Sequence, residues 1–466
     1  MDMIEIDSVN GKKIRISKDV NYIAQPGFGT VRAGEYDGNP CLVKWFSREE
    51  LERMGCGRQL RENLTAHLKQ DPPGRSFLWP VDVSKMEGGS LCYVMNNSDL
   101  LTYRASEKEK ETLLAYRSLA DFMEQRCRFG NWISMVNTAL CLITAFSQLR
   151  KKRYNFLHMT EDDIYIQAKT GRILIANMEF ARKGGGRKAD SDSNGQKTAE
   201  WRPTATSRML PPSYVMNTKA PDRQAADYML ATLLFEILYL NHPLEGYEAA
   251  SRPVMDERAM REIYGSQPCF SYDNDNQSNR PVPGLHNNLI NFWKLYPDYV
   301  GNSFSDAFCQ QVLSGKRAPI PLERWYHIFA RMRSLIVSCP SCGTENIWQS
   351  GDQQCRKKGC DTVLKPPMYY DIDEECYPLF MGSTIYRCQL DPSSGLGRED
   401  FYSEEAGRFV RTRNKPSLQN TSDQEWTVVD PDGTERPLGF QETVNLTDGL
   451  RVVAEGKTIT IRSKYI

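Results

Sequence analysis

The sequence predicts an α+β protein that contains at least two folding units. Three observations lead to this prediction: the chain has 466 residues, its first part is rich in strand patterns, and its middle part has long helical periods. A single hydrophobic core stops growing near roughly 250–300 residues, so a chain of this length divides into several units.

Composition excludes few classes of function. The 59 Lys and Arg residues balance 59 Asp and Glu residues, and 40% of the chain is hydrophobic, which is ordinary for a globular protein. We therefore expect neither nucleic-acid nor membrane binding from bulk charge. The first residues lack the apolar core of a secretion signal. The apolar stretch Met229 to Leu240 is shorter than the roughly 20 residues of a membrane span. These features predict a cytoplasmic protein.

Alternating apolar and polar residues predict strands in the first part of the chain, where a helical stretch from Ser47 to Gln70 interrupts them. The predicted strands lie in Ile4 to Ile16, Asn21 to Arg32, Pro40 to Phe46, Phe77 to Val83 and Leu91 to Met95. We expect these segments to form one β-rich unit.

From about Arg117 to Met332 the periodicity is helical, as in Trp132 to Leu149 and Gln224 to Leu240. The run from Lys183 to Thr198 is rich in Gly, Ser, Asp and Lys, which predicts a mobile loop. A β-rich part followed by an α-rich part predicts two lobes with a cleft between them.

A glycine-rich turn supplies the first chemical signal in the predicted cleft. Gly27 and Gly29 precede Val31, and Lys44 follows on the next predicted strand. Glycines let backbone N–H groups approach the phosphates of a nucleotide, which a lysine can also reach. Alone, this turn is more often a simple hairpin than a nucleotide site. The turn residues and the lysine are nevertheless candidate nucleotide-binding residues.

The order of the following elements resembles that of protein kinases. Glu62 lies in a predicted helix from which it could pair with Lys44, and Met95 ends a strand that would connect the lobes. The likeness is closest to a bacterial branch of serine/threonine kinase-like proteins that is usually found with a von Willebrand A-type protein and a metal-dependent phosphatase. It rests on the segments Phe77 to Asp82, Asn241 to Gly246 and Asn279 to Pro281.

The resemblance implies a protein-kinase-like domain over residues 1–335, with an N-lobe at about 1–96 and a C-lobe at about 97–335. It further implies a zinc ribbon at 336–366 and a forkhead-associated-like β domain at 367–466. The von Willebrand A-type protein and the phosphatase would be its protein partners.

The same resemblance places unusual residues at the catalytic positions. His158 stands where such kinases have the aspartate that accepts the substrate proton, and Asp163 stands where they have a metal-binding asparagine. Asn177 replaces the aspartate that binds Mg²⁺, so the main anionic ligand is missing. Glu179 is a second acidic residue that would keep a displaced metal or nucleotide site conceivable. ATP or ADP binding without turnover is therefore left open, and Mg²⁺ is doubtful.

Two cysteine pairs predict a metal site independently of the resemblance. Cys339 and Cys342 are followed after twelve residues by Cys355 and Cys360. Four thiolates in two knuckles can close a tetrahedral site, which suits structural Zn²⁺ because no position remains for water. The nine other cysteines are isolated, and we expect them to be reduced thiols.

Three functions remain open from the sequence. The first is a pseudokinase that acts as a scaffold or regulator, the second is a divergent active kinase, and the third is a phosphopeptide-binding adaptor that acts through the C-terminal domain. The adaptor needs an arginine pocket. Arg408, Arg411 and Arg413 cluster in that domain, but the Ser-Arg-x-x-His loop of known phosphothreonine readers is absent from the sequence.

Overall fold

A computed structural model describes residues 3–18, 29–95, 116–156, 158–183, 208–218 and 223–465. Over these residues the protein is a mixed α+β structure with seven β-sheets, which confirms the predicted class. The proposed domain boundaries stay predictions. Gly27 and most of the predicted loop after Lys183 lie outside the described residues.

The first unit is a six-stranded antiparallel sheet with the order β1-β2-β3-β4-β6-β5. Its strands are β1 (Met3–Asp7), β2 (Lys13–Ser17), β3 (Thr30–Tyr36), β4 (Asn39–Phe46), β5 (Pro80–Val83) and β6 (Leu91–Met95). The helical stretch between β4 and β5 forms two helices, α1 (Arg48–Met54) and α2 (Gly57–His67). Gly55 separates them because it adopts a left-handed conformation, with φ 65°, that ends α1.

A helical body follows, and its core is continuous with the sheet. Its helices are α3 (Leu119–Met123), α4 (Trp132–Lys151), α5 (Pro212–Val215), α6 (Arg223–Tyr239), α7 (Tyr247–Ala250), α8 (Glu257–Arg261), α9 (Asn287–Trp293), α10 (Asp298–Ala307), α11 (Gln310–Leu313) and α12 (Leu322–Ser334). Its short strands are β7 (Tyr116–Ser118), β8 (Tyr154–Asn155), β9 (Ile164–Gln167), β10 (Ile173–Ile175) and β11 (Arg182–Lys183). The backbone N–H of Leu78 donates to the Ile175 carbonyl at 2.9 Å, which joins the two units directly.

The cysteine segment forms two small hairpins, and a β-sandwich follows it. The hairpin strands are β12 (Ile336–Ser338), β13 (Glu345–Ile347), β14 (Gln353–Gln354) and β15 (Val363–Leu364). The sandwich contains β16 (Met368–Ile372), β17 (Glu375–Leu379), β18 (Thr384–Tyr386), helix α13 (Arg387–Leu390), β19 (Glu405–Thr412), β20 (Lys415–Asn420), β21 (Trp426–Val429), β22 (Glu435–Leu438), β23 (Thr443–Asn445), β24 (Arg451–Ala454) and β25 (Lys457–Arg462). Side chains from its six-stranded and four-stranded sheets share one core with the hairpins.

Both downstream units contact the long helix α4. The Glu345 carboxylate of β13 accepts hydrogen bonds from the backbone N–H groups of Trp132 at 2.7 Å and Ile133 at 3.2 Å. At the other end of α4, Lys151 donates to the Leu396 carbonyl of the sandwich unit at 2.6 Å. The first N–H groups of a helix have no partner within the helix, so Glu345 stabilises α4 as an external cap.

Among the described residues, one helix is long and apolar enough to cross a membrane by length and composition. This helix is α4, and 78% of its apolar window is buried inside the structure. The sequence analysis predicted this helix but weighed only Met229 to Leu240 as a candidate membrane span. Its burial is that of a core helix.

Replacing Glu345 with alanine should loosen the first turn of α4. Removing a capping side chain costs about 0.5–2 kcal/mol, so we expect faster hydrogen exchange in a peptide that covers residues 131–136. Glu374→Ala, at an exposed position, is the matched control. Equal exchange in the two variants would show that the cap is not needed.

Candidate functional site

Lys44 lies at the centre of a buried polar network between the sheet and the helical body. Its side chain is 3% exposed, and its Nζ lies 2.5 Å from the Glu179 carboxylate, whose side chain is 0% exposed. Lys44 also donates to the Asn177 side-chain oxygen. The second Glu179 oxygen accepts a hydrogen bond from the Tyr93 hydroxyl at 2.7 Å. Protein groups thus neutralise this buried lysine.

The local fold explains why these side chains meet. Lys44 occupies the interior of β4 and Tyr93 the neighbouring strand β6, where the two residues are register partners. Asn177 follows β10 and has φ 60°, a left-handed conformation that asparagine tolerates better than most residues. Glu179 lies in the 3₁₀ helix that follows. The turn at Asn177 therefore brings both residues to Lys44.

The network continues from Asn177 to Asp163. The Asn177 amide donates to the buried Asp163 carboxylate, which also accepts from the Thr160 backbone N–H at 2.8 Å and from its hydroxyl at 3.2 Å. Burial raises the pKa of Asp163 to about 7, although the hydrogen bonds from Thr160 and the charge of Lys44 oppose this shift. Burial therefore disfavours the ionised form of Asp163, and a neutral carboxyl group is a weaker metal ligand.

Glu62 does not make the predicted pair with Lys44. It is exposed, while Leu60 and Leu64 occupy the buried face of α2. Residues two positions apart on a helix point in different directions, so Glu62 faces solvent. The neighbouring Asn63 faces inward instead, and its amide donates to the Glu179 and Ala181 carbonyls at 2.6 and 2.8 Å.

The remaining predicted cleft residues are distributed around this network. Val31 is the register partner of Lys44, and Met95 is buried at the end of β6. Gly29 has φ 80°, and a Cβ there would lie 2.6 Å from the Trp45 carbonyl oxygen. The close approach of β4 therefore explains the glycine at position 29 without a bound ligand. His158 packs near the Phe180 ring at 5.8 Å between centroids.

Two members of the network were missed in the sequence. Tyr93 lies in the fully buried strand β6, and a buried tyrosine hydroxyl usually needs a partner. The need for that partner could have identified Tyr93 from the sequence. The sequence indicated Thr160 more weakly: a threonine three residues before an acidic residue is typical of a capping box, and the structure contains this capping box.

The four predicted metal ligands form a cluster. Their sulfur atoms all lie within 4.8 Å of one another, with Cys339 and Cys360 at 3.8 Å and Cys342 and Cys355 at 3.7 Å. Zn–S bonds of about 2.3 Å in a tetrahedron place the sulfur atoms about 3.8 Å apart. This cluster could hold a metal ion such as zinc.

The backbone holds both cysteine knuckles in place. Gly343 and Gly359 have φ 69° and 81°, and these left-handed turns favour glycine. The Cys339 N–H donates to the Thr344 carbonyl at 2.9 Å, and the Cys355 N–H donates to Thr362 at 2.8 Å. Each knuckle is thus closed by its own hairpin.

The chain was compared with protein-family models and with curated proteins. No protein-family model matches it, and no curated protein matches it.

Glu179→Gln should strongly destabilise the protein. The substitution leaves the buried Lys44 ammonium without its carboxylate, and breaking a buried pair in this way costs about 3–5 kcal/mol. Glu62→Gln is the matched control and should change stability by less than about 0.5 kcal/mol. Thermal and urea unfolding of both variants measure the effect. Equal losses would contradict the assignment of the ion pair.

The purified chain should contain one zinc ion, measured by elemental analysis. Cys355→Ser should lose it, whereas Cys376→Ser, outside the cluster, should retain it. A structural zinc site contributes folding free energy, so a strong chelator should lower the unfolding midpoint of the native chain. Equal zinc content in the two variants would contradict the four-cysteine site.

Proposed function

We propose that this protein is a kinase-like scaffold or regulator in bacterial signalling that does not transfer phosphate. The observation that carries this proposal is the closed network around Lys44. The lysine that would serve nucleotide phosphates in a kinase is ion-paired with Glu179 and hydrogen-bonded to Asn177. Both partners come from the segment that would bind Mg²⁺ in the resembled family.

The residues of this network do not fit a magnesium-bound nucleotide. Asn177 is neutral, and the two Glu179 oxygens are engaged by Lys44 and Tyr93. Asp163 accepts a hydrogen bond from the Asn177 amide, and burial raises its pKa. Mg²⁺ prefers near-ideal octahedral oxygen coordination with carboxylates, and no such set is available here without rearrangement.

One cavity beside the network, lined by described residues, is small. It is lined by residues that include Asn63, His158 and Glu179, and it holds about 30 Å³, roughly the volume that one water molecule occupies in the liquid. Small-molecule sites are usually about 300–1,000 Å³. A nucleotide does not fit this cavity, and residues 19–28, which include most of the predicted glycine-rich turn, lie outside the described part of the chain.

The zinc ribbon and the sandwich have supporting roles in this proposal. A four-cysteine zinc site has no open position for a substrate, and the hairpins share a core with the sandwich. We assign the zinc ion to fixing this unit against α4. The proposed partners remain the von Willebrand A-type protein and the metal-dependent phosphatase implied by the resemblance.

An active kinase is the second candidate, since Lys44, Asp163 and Glu179 remain in one buried site. The phosphopeptide adaptor has less support. Arg408 is already paired with Glu405 at 2.5 Å, and Arg411 and Arg413 are exposed without a buried pocket around them among the described cavities.

A phosphate-transfer assay separates the scaffold from the kinase. The full chain and its Lys44→Met variant are incubated with radiolabelled ATP, Mg²⁺ or Mn²⁺ and the candidate partner proteins. The scaffold predicts background labelling by both chains, together with partner binding by the native chain in a pull-down. Labelling by the native chain that Lys44→Met abolishes would establish the kinase and overturn the scaffold.

A further inference from the structure

A second cavity is lined by other residues and other elements than the Lys44 network. It holds about 770 Å³ and lies where the loop before α4, the end of α6, helix α9 and the first cysteine hairpin meet. Ligand sites commonly measure about 300–1,000 Å³ and combine apolar walls with a few polar groups. This cavity meets both conditions.

Aromatic side chains provide much of the apolar wall. They are Phe122, Phe129, Trp132 and Phe292. Phe122 and Phe129 pack with ring centroids 4.5 Å apart, and Trp132 packs edge-on against Phe292 at 6.1 Å. Aromatic rings favour offset-stacked or edge-to-face contacts with other rings. The wall therefore suits a planar aromatic body.

The charges around the cavity favour one negative group on the ligand. Arg128 and Glu345 are the charged side chains among its lining residues. Glu345 is engaged by the first N–H groups of α4. Arg128 is exposed, and the described part of the chain gives it no ion-pair partner. A guanidinium binds a carboxylate through two parallel hydrogen bonds.

Two residues at one side of the cavity have unusual backbone conformations. Gln125 and Leu240 have φ 60° and 52°, and each follows the end of a helix, where glycine is the usual residue. Both also line an adjoining cavity of about 670 Å³. Left-handed conformations at non-glycine residues are costly and often occur at ligand sites. Here these conformations place the Gln125 and Leu240 side chains, where a glycine would have none, at the boundary between the two cavities.

We propose that this cavity binds a small aromatic carboxylate, with its ring against the aromatic wall and its carboxylate on Arg128. The inference is independent of the proposed scaffold function, because none of the lining residues belongs to the Lys44 network. Since Glu345 and Gly343 line the cavity, the first cysteine hairpin forms part of the site.

Calorimetric titration of the zinc-loaded full chain with indole-3-acetate tests this proposal. Uncharged indole and cationic tryptamine are the comparison probes. We expect indole-3-acetate to bind with the highest affinity and Arg128→Gln to weaken its binding about tenfold, because the variant loses the charge-assisted hydrogen bonds to the carboxylate. Arg53→Gln, at an exposed position on α1, should bind as the native chain does.

A cavity-filling variant provides a second test. Asn288→Trp places a large ring inside the cavity and should abolish binding, whereas Asn291→Trp, exposed on the same helix, should retain it. The proposal is overturned if indole-3-acetate shows no saturable binding at concentrations up to about 10 mM. It is also overturned if each variant binds indole-3-acetate as tightly as its control does. If Asn288→Trp does not fold, the comparison of the two arginine variants decides.

Discussion

The buried charge of Lys44 constrains how the first sheet packs against the helical body. An ammonium inside a β-sheet requires a nearby anion, because its desolvation is otherwise too costly. Glu179 supplies that anion, Tyr93 binds its second oxygen, and Asn63 holds the backbone on either side of Phe180. One charge thus joins two strands of the sheet, helix α2 and the segment after β10.

Helix α4 connects the helical body to the C-terminal units. Its first turn is capped by Glu345 from the cysteine hairpins, and near its other end Gln148 donates to the Glu399 carboxylate at 3.2 Å. Glu399 also pairs with Arg75 at 2.7 Å, in the loop before β5. The sandwich unit therefore contacts both the helical body and the β-rich unit.

Local patterns predicted the elements better than their side-chain partners. Period-two alternation located most strands of the first sheet, and the cysteine spacing identified a cluster whose geometry suits a metal. The Glu62 prediction was wrong because the helical spacing of Leu60 and Leu64, which form the buried face of α2, places Glu62 on the solvent side. The Glu179 pair joins residues 135 positions apart, and no local pattern specifies such a contact.

The most direct test is the thermal stability of the native chain with ATP or ADP, each measured with and without Mg²⁺ or Mn²⁺. A ligand that binds the folded state raises its unfolding midpoint. Because Lys44 and Glu179 satisfy each other and Asn177 is neutral, we predict no metal-dependent shift at millimolar nucleotide. A shift that requires the metal, and that Glu179→Gln removes relative to its own unliganded midpoint, would contradict the account.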